Sequence, residues 1–189
     1  TVEKDINTML LGTEPAAAIA ALDPLPIDVL GLNCATGPSD MREHVRTLSR
    51  SSRLPIAVVP NAGIPEMVDG ATCYPLGPDA LAAAHHEFIT EFGVTMVGGC
   101  CGTTPDHLRR VVEVVADAVP AQRTVEFMPS LASLYSAVPI RQDTSFLVIG
   151  ERSNANGSRA FKELLLAEDW DSMVALAKAQ AREGAHVLD

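Results

Sequence analysis

The sequence is poor in aromatic residues and in basic residues. Aromatic side chains make up only 4% of its 189 residues, although 47% of the residues are hydrophobic. A core built mainly from Ala, Val, Leu and Ile suits helices packed on parallel strands better than an antiparallel sandwich. Lys and Arg number 14 against 24 Asp and Glu, and they form no basic run, which argues against a nucleic-acid-binding surface.

Apolar runs long enough to span a membrane are also missing. None approaches the length of about 20 residues that a span needs, and the N-terminus lacks the charge pattern and apolar stretch of a signal peptide. The first residue is Thr rather than Met, so we expect the chain to be a segment of a longer protein. We expect a reducing, cytoplasmic compartment, where clustered cysteines indicate a metal or catalytic site rather than disulfide bonds.

Apolar runs and helical patterns alternate along the chain, which predicts an α/β fold with a parallel sheet, either doubly wound or closed into a barrel. After a helix at 14–22, three strand–loop–helix units are predicted, with strands at 27–32, 54–60 and 94–97 and helices at 39–50, 78–92 and 104–119. The Pro- and Ser-containing residues 120–144 are predicted to be an interdomain linker. The alternation then resumes with strands at 145–149 and 185–189 and helices at 161–166 and 170–182.

Three of the four cysteines follow predicted strands. Cys34 follows the first strand, and Cys100 and Cys101 follow the third, between glycines that allow a sharp turn. Three thiolates are suitable zinc ligands, and they leave the fourth position of a tetrahedral ion open, as in catalytic sites. A thiolate-rich site suits a thiol substrate, so the implied reaction is S-alkylation. The alternative is a set of buried, inert thiols.

The segments around these cysteines resemble the paired zinc signatures of the homocysteine methyltransferase family. They read GLNCATGP at 31–38 and GGCCGTTPDH at 98–107, and NAGIP at 61–65 between them is also similar to that family. A second resemblance lies near the C-terminus, where IGERSN at 149–154 and GAHVLD at 184–189 are similar to the opening of the folate-binding barrel of the cobalamin-dependent members.

These resemblances imply a domain plan. Residues 1–119 would be the C-terminal part of a homocysteine- and zinc-binding (β/α)₈ barrel, and residues 120–144 the interdomain linker. Residues 145–189 would begin a folate- (pterin-) binding (β/α)₈ barrel. The cobalamin-binding domain would belong to the same parent chain, outside this segment.

The resemblances also imply the reaction and its residues. Cys34, Cys100 and Cys101 would bind zinc, and homocysteine would supply the fourth ligand and the attacking thiol, with Asn33 contacting the substrate or fixing the turn. The methyl group would come from methylcobalamin and ultimately from 5-methyltetrahydrofolate, and Glu151, Asn154 and Asp189 would contact the folate.

Two other functions fit part of the sequence. One is a simple, betaine-type homocysteine methyltransferase, which would not need the residues from 145 onward. The other is a catalytically silent zinc-binding fragment. Among the remaining candidate residues, Cys73 is expected in a loop as an incidental thiol, and His85 and His86 are expected on the surface. For His107 a role as zinc ligand is one alternative, but a place beside the metal site or on the surface is preferred.

Overall fold

The computed structural model describes residues 8–9, 12–34 and 36–189. It divides into two compact units. The first contains the described residues up to Met128 together with Ala132–Ala137, and the second contains Pro129–Leu131 and Val138–Asp189. Among the described residues, no helix combines the length and the apolar character that crossing a bilayer requires.

The first unit is built on a three-stranded parallel sheet of β1 (Leu30–Asn33), β2 (Ile56–Val59) and β5 (Met96–Val97). The strands lie side by side in the order β1–β2–β5, which is also their order along the chain. The helices are α1 (Pro15–Leu22), α2 (Pro38–Ser51), α3 (Pro78–Phe92) and α4 (Pro105–Val115). The predicted α/β class is confirmed. The strands in the structure are shorter than the predicted strands at 27–32, 54–60 and 94–97.

Local sequence explains where these helices begin and what they bury. Each of the four starts with Pro, whose missing N–H costs nothing in the first turn. The helix α2 buries Met41, Val45 and Leu48 on one face, as the periodicity predicts. These side chains belong to one core with residues of β1, β2 and α3, including Leu32, Ile56, Val58, Phe88 and Phe92.

A hairpin that the sequence analysis missed lies between β2 and α3. Its strands are β3 (Glu66–Val68) and β4 (Ala71–Cys73), joined by Asp69 and Gly70, which both have positive φ. An Asp-Gly pair of this kind is a typical two-residue hairpin turn. The expectation that Cys73 lies in a loop is therefore wrong, because Cys73 is an exposed residue of β4.

The second unit has a short parallel pair, β8 (Ile149–Gly150) and β9 (Val187–Leu188), connected through α5 (Arg159–Leu166) and α6 (Trp170–Arg182). A 3₁₀ turn at Glu151–Ser153 follows β8 directly. Two strands within the predicted linker, β6 (Ser130–Ala132) and β7 (Ala137–Pro139), form a separate two-stranded sheet.

The early part of the predicted linker packs on the first unit as an extended strap, residues 121–127. The Ala121 N–H donates to the Ile89 carbonyl at 2.9 Å, and the Glu126 N–H donates to the Arg50 carbonyl at 2.8 Å. The Arg123 guanidinium donates to the carbonyls of Ser52 (3.2 Å) and Leu54 (2.7 Å), just beyond α2. The strap thus supplies donors to the Arg50 and Ser52 carbonyls at the end of α2, where a helix leaves carbonyls without intrahelical partners.

A buried carboxylate joins the end of α1 to the segment after α2. Asp23 accepts hydrogen bonds from the Ser52 hydroxyl (2.5 Å) and from the backbone and guanidinium of Arg53 (3.1 and 2.9 Å). Burial alone would raise the pKa of the Asp23 carboxyl, but these hydrogen bonds hold it below its ordinary value. The Arg53 guanidinium also stacks on the Phe127 ring of the strap, 4.1 Å from its centre.

We expect Asp23→Asn to lower the free energy of unfolding by about 1–3 kcal/mol, because it leaves buried donors without a charged acceptor. A carboxyl with a lowered folded-state pKa stabilises the fold above its unfolded pKa of about 4 and loses that contribution as the pH falls. The wild-type chain should therefore lose more stability than the variant below about pH 4. Urea unfolding at several pH values measures this. Asp28→Asn, at an exposed residue, is the control, and equal stability of the Asp23 variant and wild type at pH 7 would contradict the prediction.

Candidate metal centre

Cys34 lies at the carboxyl end of β1, in a backbone conformation that turns the chain sharply. Its φ is +60°, in the left-handed region that few residues other than glycine adopt. The Cys34 N–H donates to the Val59 carbonyl at 3.1 Å, and the Cys34 carbonyl accepts from the Thr36 N–H at 2.8 Å. The turn that carries Cys34 is therefore anchored to the end of the neighbouring strand β2.

Cys100 and Cys101 lie in the loop after β5, and the loop after β2 holds them too. The Cys100 N–H donates to the Pro60 carbonyl at 2.8 Å, and the Cys101 N–H donates to the Asn61 side-chain oxygen at 3.1 Å. Asn61 is buried, and its own N–H donates to the Thr36 carbonyl at 3.2 Å. Residues 60–62 thus connect both cysteine-bearing loops.

The three sulfurs of Cys34, Cys100 and Cys101 form one cluster. The Sγ atoms of Cys34 and Cys101 are 3.6 Å apart, those of Cys100 and Cys101 are 3.9 Å apart, and all three lie within 4.8 Å of one another. A tetrahedral zinc ion with Zn–S bonds of about 2.3 Å separates its sulfurs by roughly 3.8 Å. The donor set therefore fits zinc. Within the described ranges, no other three His, Cys, Asp or Glu side chains are grouped in this way.

Without a cation, the Cys100 thiol of this cluster resists ionisation. Burial raises the pKa of the Cys100 thiol, and the neighbouring Cys34 and Cys101 thiols raise it further. Three thiolates at this spacing call for a bound cation, which reverses the local balance.

The two histidines nearest the cysteine loop are both buried. His107 caps α4, with Nδ1 accepting from the Thr104 N–H at 3.2 Å and Nε2 2.8 Å from the Leu76 carbonyl, so it is engaged in the fold and lies outside the sulfur cluster. His85 was expected on the surface, and this is wrong, because it lies on the core-facing side of α3 and its side chain is fully buried. His86 is exposed, as expected.

Two residues at the cluster were not identified from the sequence. Asn61 lies in a quoted motif, but its role as acceptor for Cys101 depends on how two loops meet. Tyr74 lies between β4 and α3, with its ring so close to Gly102 that a Cβ there would overlap it. Burial raises the pKa of the Tyr74 phenol, and the adjacent Cys101 thiol raises it further. Asn33, the predicted substrate-binding residue, is exposed at the end of β1.

In the second unit, two of the three predicted folate-binding residues touch. The Asn154 amide donates to the Asp189 carboxylate at 2.6 Å. Glu151 is exposed at the start of the 3₁₀ turn after β8. The turn rests on Gln180 of α6, whose amide oxygen accepts from the Arg152 N–H at 2.7 Å and whose amide nitrogen donates to the Ser153 hydroxyl at 3.1 Å. Gln180 is buried and was not predicted.

Comparison with known proteins gives a consistent result. Residues 1–115 match the family model described as homocysteine S-methyltransferase. The chain is 54% identical over 183 residues to methionine synthase of Mycobacterium tuberculosis and 54% identical over 188 residues to methionine synthase of Mycobacterium leprae. Both matches cover 97% of this chain, which spans only 15% and 16% of the length of these relatives.

We expect Cys34→Ser to abolish stoichiometric zinc binding by the chain, because two thiolates remain where three are needed and a neutral hydroxyl is a poor zinc ligand. Cys73→Ser is the matched control, since Cys73 is exposed in β4 and outside the cluster. Zinc content after dialysis, measured by atomic emission, distinguishes the variants. Full zinc content in the Cys34 variant would rule out the three-thiolate site.

Proposed function

Because this chain belongs to the homocysteine S-methyltransferase family, we propose that it is the part of a cobalamin-dependent methionine synthase that binds zinc and activates homocysteine. Cys34, Cys100 and Cys101 are the proposed zinc ligands. The observation that carries the proposal is the spacing of their sulfurs, 3.6 and 3.9 Å for the two closest pairs, which suits the edges of a tetrahedral site.

The chain's own residues prepare a site that is rigid on one side and open on the other. Backbone hydrogen bonds to residues 59–62 fix the loops that carry the ligands. Cys101 and Asn33 are exposed, so a small thiol substrate can approach the sulfur cluster from solvent. Zinc, when bound, would supply Lewis acidity that lowers the pKa of the thiol it binds, so that this thiol is deprotonated near neutral pH. The proposed reaction is methyl transfer to the sulfur of homocysteine, which gives methionine.

The proposed methyl donors are methylcobalamin and, before it, 5-methyltetrahydrofolate. The relatives named methionine synthase support them, because the similarity runs through both units and covers 97% of the chain. Glu151, Asn154 and Asp189 are the proposed folate contacts, and the bond between the last two brings polar groups together at the carboxyl ends of β8 and β9. The same coverage favours this enzyme over a betaine-type methyltransferase, which would match only the first unit.

We further propose that each unit belongs to a (β/α)₈ barrel, with the division 1–119, 120–144 and 145–189. In the first unit, the parallel strands follow one another in chain order without reversal, as they do around a barrel. All three cysteines follow the carboxyl ends of strands, which is where such barrels place their active sites. The cobalamin-binding domain is proposed to lie elsewhere in the parent chain.

Cobalt substitution gives a direct test of substrate binding. We expect the cobalt-loaded chain to show sulfur-to-cobalt charge transfer, and L-homocysteine to increase it because a fourth thiolate joins the three from the protein. L-homoserine, with a hydroxyl in place of the thiol, should leave the absorption unchanged. Equal responses to the two amino acids would contradict a thiol-specific site.

A further inference from the structure

One polar side chain in the core of the first unit serves no purpose in the reaction described so far. His85 lies on α3 with its imidazole completely buried, beside Leu81 and with its ring edge against Phe88 at 6.2 Å between centroids. Its Nε2 is 2.8 Å from the Gly98 carbonyl oxygen. Gly98 directly follows β5 and lies two residues before Cys100.

The hydrogen-bond chemistry of this contact fixes the state of the ring. A carbonyl only accepts, so Nε2 carries the hydrogen and donates it, and in the neutral ring Nδ1 is then an acceptor. Nδ1 is buried and has no hydrogen-bond partner among the described residues. A buried polar atom without a hydrogen-bond partner destabilises the fold. An apolar side chain would fill the same space without that penalty, so the role of His85 must reside in its bond to Gly98.

The hydrogen bond from His85 acts on a flexible stretch of backbone, the Gly98-Gly99 pair. Gly98 and Gly99 have no side chains to restrict them, and they precede the two adjacent cysteines. The Gly98 N–H donates to the Val58 carbonyl at 3.2 Å, while the Gly98 carbonyl accepts from His85. The two peptide groups that flank the Gly98 Cα are therefore held, one by the sheet and the other by α3. The next anchor along the chain is the Cys100 N–H on the Pro60 carbonyl.

We propose that His85 is a positioning residue of the metal centre, whose Nε2–H holds the Gly98 carbonyl and thereby sets the turn that presents the Cys100 and Cys101 sulfurs. The inference rests on the proposed three-thiolate site. It predicts that metal affinity depends on a donor at the position of Nε2, and not merely on filling the volume of the ring.

Three substitutions of His85 separate these possibilities. His85→Gln can place an amide N–H near the position of Nε2, His85→Asn has a shorter side chain that cannot reach Gly98, and His85→Phe fills the space without a donor. The exposed neighbour provides the control, His86→Gln. Each variant of the 189-residue chain is titrated with zinc against a chromophoric chelator, and its cobalt absorption spectrum is recorded. Circular dichroism and thermal melting report whether the fold is retained.

We expect the Asn and Phe variants to bind zinc about tenfold or more weakly, in line with losses of groups that orient metal ligands, and to show altered cobalt bands. The Gln variant should restore affinity and spectrum, and the control should match wild type. Equal zinc affinity of folded Asn and Gln variants would overturn the role of His85 while leaving the metal site intact. Absence of metal binding by the wild-type chain would instead overturn the proposed function.

Discussion

The hydrogen bonds made by the end of the central strand β2 and by the loop after it hold the candidate metal centre together. The Val59 and Pro60 carbonyls accept from the two cysteine loops, and the Asn61 side chain accepts from Cys101. Because β2 lies between β1 and β5, its end is the one place from which both neighbouring loops can be reached. The order of strands in the sheet therefore determines that cysteines 66 positions apart in the sequence meet at the distances that zinc requires.

In both units, a buried polar side chain on a helix holds the backbone of a turn that follows a strand. In the first, the His85 imidazole reaches from α3 to the Gly98 carbonyl. In the second, the Gln180 amide reaches from α6 to the backbone of Arg152. In each case a buried polar side chain on a helix binds the backbone just after a strand. A loop at a strand end is irregular, so its peptide groups need partners other than a ladder neighbour, and a side chain from a packed helix supplies one.

Much of this could be predicted from the sequence, because the signals involved are local. Helices α2, α3 and α6 follow from the helical pattern of the sequence, and the cysteines stood out because they follow apolar runs in glycine-rich segments. The parts that were missed depend on what meets in three dimensions. The burial of His85 and the contact of Tyr74 with Gly102 are set by packing between distant segments. The β3–β4 hairpin is different, since its Asp-Gly turn was visible in the sequence and was overlooked. The folate-binding and zinc-binding assignments themselves stay predictions.

The strap at 121–127 affects how the parent protein can be divided into parts. Composition marks this stretch as a spacer, yet Arg123 donates to carbonyls beyond α2, and Phe127 lies under Arg53. Gly93 leaves room for the strap, because a side chain there would collide with Ala121 and Arg123. A fragment cut at residue 119 would lose Arg123 and Phe127 and leave the Ser52 and Leu54 carbonyls without these donors, whereas one that continues through Met128 keeps both contacts. The useful place to separate the modules for expression thus lies later than the change in composition suggests.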